Sequence, residues 1–146
     1  MRAKILNASA GSGKTYQLAY KYVRDVIDQP GLYRHILAVT FTNKATEEMK
    51  SRILKEIHRL ASGGASPYLG NLCRELSLDE RSVRKRAAEV RSKILHDYSR
   101  FTVLTIDTFF QRILRAFIKE LGIDLNYNVE IETASVLSKG ADTLIE

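Results

Sequence analysis

The feature that most constrains this chain is a run of small residues leading into a lysine and a threonine. The run covers residues 7–15 and reads Asn-Ala-Ser-Ala-Gly-Ser-Gly-Lys-Thr. It follows the apolar pair Ile5 and Leu6 and precedes a helical pattern. Glycines let a backbone turn without side-chain clashes, and the first turn of a helix presents unpaired N–H groups. The pattern therefore predicts a strand, a phosphate-binding loop and a helix in that order.

Individual residues of this loop have separate expected roles. Glycines allow the backbone to approach phosphates, Lys14 reaches the β and γ phosphates, and the Thr15 hydroxyl coordinates Mg²⁺. The usual pattern begins with a glycine where this chain has Ala8. A turn that only caps a helix is the alternative, but capping requires neither lysine nor threonine here. The residues expected to bind ATP with Mg²⁺ are Ala10, Gly11, Ser12, Gly13, Lys14 and Thr15.

Charge is distributed unevenly along the chain. Residues 1–120 contain 22 basic and 12 acidic side chains, whereas residues 121–146 contain one basic and five acidic side chains. A basic body suits a polyanion such as nucleic acid, and a solvated basic surface explains the same charge equally well.

Several classes of protein are excluded by what the sequence lacks. The single cysteine, Cys73, cannot form an internal disulfide, and no Cys/His cluster has metal-ligand spacing. The first strand begins too early for a signal peptide to precede it, and no apolar run approaches the roughly 18 residues of a membrane span. We therefore expect a cytoplasmic protein with no membrane partner.

Helical and extended patterns alternate along the chain. Extended runs cover residues 4–7, 36–41 and 101–106, and helical patterns cover residues 14–28, 43–60, 78–99 and 109–121. Residues 36–41 are continuously apolar, which predicts a strand buried on both faces of a parallel sheet. The alternation predicts an α/β domain with helices flanking that sheet. The apolar faces are expected to include Leu18 in the first helix and Leu95 in the third.

Two further motifs follow the second and third predicted strands. Thr42, Asn43 and Lys44 follow one, and residues 105–110 follow the other. Because the carboxyl ends of parallel strands meet at one edge of a sheet, both motifs should lie there with the phosphate loop. A helix start with Thr, Asn and Lys suits a nucleic-acid phosphate, although a plain helix cap is the simpler interpretation. Phe109 and Phe110 suit either base stacking or the core.

Together the three motifs, at residues 8–15, 38–45 and 104–110, resemble those of superfamily-1 DNA helicases of the UvrD/Rep kind. The helical segment between the second and third motifs is similar to the RecB/AddA helicase-nuclease branch. The resemblance implies a partial RecA-like P-loop NTPase domain over residues 1–120, with a helical insertion at about residues 63–100, and a truncated further subdomain over residues 121–146. It also implies single-stranded DNA contacts by Thr42, Asn43, Lys44, Thr105, Asp107 and Phe109.

The function implied by this resemblance is that of an N-terminal ATP-binding fragment of a DNA helicase or helicase-nuclease. ATP hydrolysis would drive translocation on single-stranded DNA in repair or recombination. The implied partners are a second RecA-like domain of the same polypeptide and a nuclease partner subunit. Many relatives carry histidine at the position of Asp107, and because an anion cannot donate to a phosphate, a DNA role suits Thr105 better. The fragment alone is expected to be inactive.

Two alternatives remain open from the residues themselves. Residues 103–107 form an apolar run ending in an acid, so Asp107 could hold Mg²⁺ in a small phosphotransferase that is complete in itself. A non-catalytic nucleic-acid-binding module would explain the basic body, but it leaves Gly13, Lys14 and Thr15 without a role.

Overall fold

The computed structural model describes residues 13–121. The chain divides into two compact units, Met1–Phe109 and Phe110–Glu146, with the boundary inside a helix. The described elements are α1 (Lys14–Asp28), β1 (Ala38–Thr40), α2 (Asn43–Ala61), α3 (Leu69–Leu76), α4 (Glu80–His96), β2 (Val103–Thr105) and α5 (Ile106–Glu120), with short 3-10 turns at Leu32–Arg34 and Tyr98–Arg100. The predicted strand at residues 4–7 lies outside the described residues.

The core of the first unit forms where α2 packs against α4 and α1. Buried side chains recur at helical spacing on each of these helices, which confirms the apolar faces read from the sequence. The buried members are Tyr22, Val23, Val26 and Ile27 on α1, Met49, Ile53, Ile57 and Leu60 on α2, and Val83, Ala87, Val90 and Ile94 on α4.

Two residues predicted on these faces lie at the surface instead. Leu95 is 70% exposed because it follows the buried Ile94 by one residue and so points away from α2. Leu18 is 45% exposed, and it lines an open groove together with Leu37 and Val39.

The two described strands pair in parallel, as the sequence predicted. Ala38 aligns with Val103 and Thr40 with Thr105. The expectation that the first of these strands is buried on both faces is wrong for the described structure, because Leu37 and Val39 are each more than two-fifths exposed. The strand is also shorter than the predicted run, and its alternate side chains face α2.

The last described helix begins earlier than predicted. We expected a helix over residues 109–121 capped by Asp107 or Thr108, but α5 starts at Ile106, directly after β2. The Thr105 hydroxyl accepts the Thr108 N–H at 3.2 Å, so Thr105 caps the helix. Within the second unit, the helix residues Phe110, Leu114 and Phe117 are each more than half exposed.

Candidate nucleotide and nucleic-acid site

The start of α1 carries the described part of the phosphate-binding motif. Gly13 is the N-cap and has a φ of 73°, a left-handed conformation that strains any residue with a β-carbon. A glycine cap has no side chain to occupy the first-turn amides, and no acidic residue lies in that turn. Lys14 and Thr15 follow at once and are exposed. Ala10, Gly11 and Ser12 lie outside the described residues.

The second motif forms the start of α2. The Thr42 hydroxyl accepts the Ala45 N–H at 3.1 Å, which confirms Thr42 as the predicted cap. The buried Thr46 donates its hydroxyl to the Thr42 carbonyl at 3.1 Å and also contacts the Thr40 hydroxyl. These threonines therefore fix the chain between β1 and α2, while Asn43 and Lys44 remain exposed.

An exposed aromatic residue beside this motif was missed from the sequence. Phe41 is 85% exposed although it directly follows a strand. Read as part of an apolar run, Phe41 looked like a buried strand residue. The signal that separates it from the run is the threonine cap immediately after it, which ends the strand before Phe41 can enter the core.

The third motif places its residues differently. Thr105 is only 7% exposed, and its hydroxyl lies 2.8 Å from the Thr108 hydroxyl and accepts the Thr108 N–H. Asp107 is exposed in the first turn of α5, and Phe109 is half-buried. Thr105 thus holds the helix start, and Asp107 presents a charge to solvent.

The strand register brings the second and third motifs to one edge of the sheet. Because Thr40 pairs with Thr105 in parallel, α2 and α5 both begin beyond the same ends of neighbouring strands. Helix N-termini carry partial positive charge, so two of them at one edge favour an anion. The described geometry thus brings Thr42, Asn43 and Lys44 near the start of α5.

The basic residues of the third predicted helix largely contact the protein itself. On α4, Arg84 donates to the carbonyls of Leu60 and Gly64, and Arg86 donates to those of Ile27 and Asp28. Lys93 forms an ion pair with Glu89. The remaining exposed cations of this helix include Arg81 and Lys85. Much of the basic face therefore stabilises helix ends and does not await a polyanion.

Metal and membrane signals were also sought among residues 13–121. No group of three or more His, Cys, Asp or Glu side chains in this range is arranged to hold a metal ion. No helix in the same part of the chain is long and apolar enough to cross a membrane. Cys73 is a free, half-buried thiol.

Comparison with known proteins identifies the family. The model of the UvrD/REP helicase N-terminal domain matches residues 2–145. The chain is 30% identical to the RecB subunit of the RecBCD enzyme of Escherichia coli over 128 residues, covering 82% of this chain and 11% of that protein. It is 27% identical to an ATP-dependent helicase/nuclease subunit of Acetivibrio thermocellus over 140 residues, covering 94% and 10%, and 30% identical to the Clostridium novyi protein of the same name over 138 residues, covering 93% and 10%.

No solved structure matches the chain significantly. The chain spans about a tenth of the length of the curated relatives described above. The family match covers nearly the whole chain, including all three motifs. The chain therefore belongs to the family of UvrD/REP helicase N-terminal domains.

Proposed function

We propose that this chain is the ATP-binding part of a DNA helicase of the kind that includes RecB and the ATP-dependent helicase/nuclease proteins. In that proposal, residues 1–120 are part of a RecA-like domain with a helical insertion at about residues 63–100, and residues 121–146 begin the next subdomain. The rest of the same polypeptide supplies a second RecA-like domain, and a nuclease subunit is a further candidate partner. The protein acts in the cytoplasm in DNA repair or recombination.

The observation that carries the proposal is the start of α1. A left-handed glycine cap turns the chain directly into an exposed lysine and threonine, Lys14 and Thr15, with no acidic residue in the first turn. Such a helix start attracts phosphate through its amides and its dipole. Lys14 would contact the terminal phosphates and Thr15 would bind Mg²⁺, while residues 10–13 would surround the remaining phosphates. When bound, Mg²⁺ neutralises charge that develops on the transferred phosphoryl group.

The DNA side of the proposal rests on the start of α2. Asn43 and Lys44 are exposed beside a helix N-terminus, where backbone and side-chain donors converge on a phosphate. Phe41 adds an exposed ring that suits stacking on an unpaired base. Thr105 supports the neighbouring helix start from a buried position, and Asp107 and Phe109 are the residues of α5 closest to this edge in sequence.

The alternative of a self-contained phosphotransferase loses its main support. It required Asp107 to end a strand, where a carboxylate can face Mg²⁺ beside a phosphate loop. Asp107 is instead the second residue of α5. The proposed lid of arginines is also committed elsewhere, because Arg84 and Arg86 bind carbonyls of neighbouring helix ends.

The test uses the full-length protein that contains this chain. We expect Lys14→Ala to abolish Mg-ATP binding, measured by calorimetry, and to abolish strand separation of a tailed duplex. A matched control is Lys55→Ala, an exposed lysine within α2. Strand separation by Lys14→Ala at the wild-type rate would refute the proposal, and transfer of the γ-phosphate to a nucleoside would support the phosphotransferase instead.

A further inference from the structure

Tyr68 connects the start of the insertion to the first turn of α1. Its side chain is fully buried, and its ring packs edge-on against Tyr16 and Tyr20 with centroids 5.0 Å and 5.2 Å away. Its hydroxyl donates a hydrogen bond to the Tyr16 carbonyl at 3.3 Å. Tyr16 is the residue directly after Thr15. The contact therefore acts on the same helical turn that carries the phosphate-binding lysine and threonine.

Tyr68 is itself held in place from α2. Its backbone N–H donates to the Ser66 hydroxyl at 3.2 Å, and that hydroxyl donates to Glu56 at 2.8 Å. Glu56 is 6% exposed, and its other carboxylate oxygen accepts a hydrogen bond from Arg59 at 2.7 Å. A buried carboxylate with both oxygens engaged is a fixed anchor. The position of Tyr68 is thus set by a rigid helix and not by the Gly-rich loop that precedes it.

The chemistry of the hydroxyl suits a permanent donor. Burial, reinforced by Tyr16 and Glu56, raises the pKa of Tyr68 to about 12. The phenol therefore stays protonated at neutral pH. A carbonyl within α1 that receives this second donor, and a ring that touches two tyrosines, leave the first turn of α1 little freedom to tilt or unwind.

We infer that Tyr68 is a positioning residue for the nucleotide site, fixing through Tyr16 the turn that presents Lys14 and Thr15. This inference rests on the proposed function, because it assigns the first turn of α1 to phosphate binding. A loop that must surround a phosphate binds more tightly when its helix start is already in place. Losing the hydroxyl contact should weaken nucleotide binding without changing the groups that contact the phosphates.

Tyr33 provides a matched control for the hydroxyl. Like Tyr68, Tyr33 is fully buried and donates its hydroxyl to a backbone carbonyl, that of Lys93, at 3.2 Å. That carbonyl belongs to the last turn of α4 and not to the first turn of α1. Tyr33→Phe and Tyr68→Phe therefore remove comparable buried hydrogen bonds from different places.

The experiment measures DNA-stimulated ATP hydrolysis and melting temperature of the full-length protein and its variants. We expect Tyr68→Phe to raise KM for Mg-ATP about threefold, the worth of one modest hydrogen bond, with kcat nearly unchanged. Tyr68→Ala should raise KM further because it also removes the ring contacts. Tyr33→Phe should lower the melting temperature at least as much as Tyr68→Phe but leave KM at the wild-type value.

Two outcomes separate this inference from the proposed function. If Lys14→Ala loses Mg-ATP binding but Tyr68→Phe has the wild-type KM, Tyr68 has only a structural role and the inference is wrong. If Lys14→Ala binds Mg-ATP normally, the proposed function itself is wrong. Should Tyr68→Ala fail to fold, the comparison of Tyr68→Phe with Tyr33→Phe still decides the matter, because both keep the ring.

Discussion

The Arg86 guanidinium lies 2.9 Å from the carbonyl oxygen of Asp28, so a helix of the insertion closes the C-terminal end of α1. The same Nη1 atom is 3.3 Å from the Ile27 carbonyl. Carbonyls in the last turn of a helix have no partner within the helix, and the end carries partial negative charge. A guanidinium there satisfies both needs. The arginine therefore stabilises the helix that follows the phosphate-binding loop.

Replacing Arg86 by alanine should loosen the end of α1. The loss of a charged donor to two helix-end carbonyls is expected to cost about 1–2 kcal/mol locally. Amide hydrogen exchange in a peptide covering residues 24–32 of the full-length protein should accelerate about tenfold. Arg81→Ala is the control, because Arg81 is exposed on the same helix. Equal exchange in both variants would show that the capping contact contributes nothing.

Replacing Phe41 by alanine should weaken binding of single-stranded DNA. Stacking of a base on an aromatic ring is worth about 1–3 kcal/mol, so we expect the dissociation constant for oligo-dT to rise about tenfold or more. Phe41→Tyr keeps the ring and should bind as the wild type does. Fluorescence anisotropy measures both. The assignment fails if the alanine variant binds as tightly as the tyrosine variant.

Lys44 should contribute one phosphate contact. Neutralising a single-strand phosphate contact changes the slope of log K against log salt by about 0.7. Lys44→Ala should therefore flatten that slope by about this amount, whereas Lys55→Ala, farther along α2, should leave it unchanged. Titration of oligo-dT at four or more salt concentrations gives the slope. A change of equal size in both variants would indicate only a diffuse effect of net charge.

The neighbours Ile94 and Leu95 should differ sharply in their effect on stability. Ile94 is fully buried, and Ile94→Ala is expected to cost about 2–5 kcal/mol, whereas Leu95 is 70% exposed and its replacement should cost less than about 0.5 kcal/mol. Hydrogen exchange of peptides from α4 in the full-length protein reports both local free energies. Similar costs at the two positions would contradict the described orientation of this helix.

The core faces of the long helices follow from spacing alone. Met49, Ile53, Ile57 and Leu60 recur every three or four residues, and each is buried in α2. The cap at Thr42 and the parallel pairing of the two described strands were likewise readable from the sequence. In these places local pattern and tertiary packing favour the same structure.

Other elements escaped the sequence for physical reasons. Helix α3 is eight residues long and buries only Leu72, so it offers too few repeats for a periodic signal, and Gly63, Gly64 and Pro67 indicated a loop before it. The start of α5 was misplaced because residues 101–106 are rich in β-branched and apolar side chains that favour a strand.

The candidate site shows the same division. Lys14, Thr15 and Lys44 were found by motif, because their roles depend on residues adjacent in sequence. The roles of Arg84 and Arg86 depend on carbonyls at the ends of other helices, 24 and 58 residues away for Leu60 and Asp28. Nothing in a single sequence marks such a pairing, so those arginines looked like part of a nucleic-acid surface.

The central claim is that this chain provides the ATP site of a DNA-dependent motor. The most direct measurement is the rate of Mg-ATP hydrolysis by the full-length protein, with and without single-stranded DNA, beside its Lys14→Ala variant. We predict that DNA accelerates hydrolysis by the wild type and that Lys14→Ala abolishes hydrolysis under both conditions. Hydrolysis that ignores DNA, or that survives loss of the Lys14 side chain, would contradict the account.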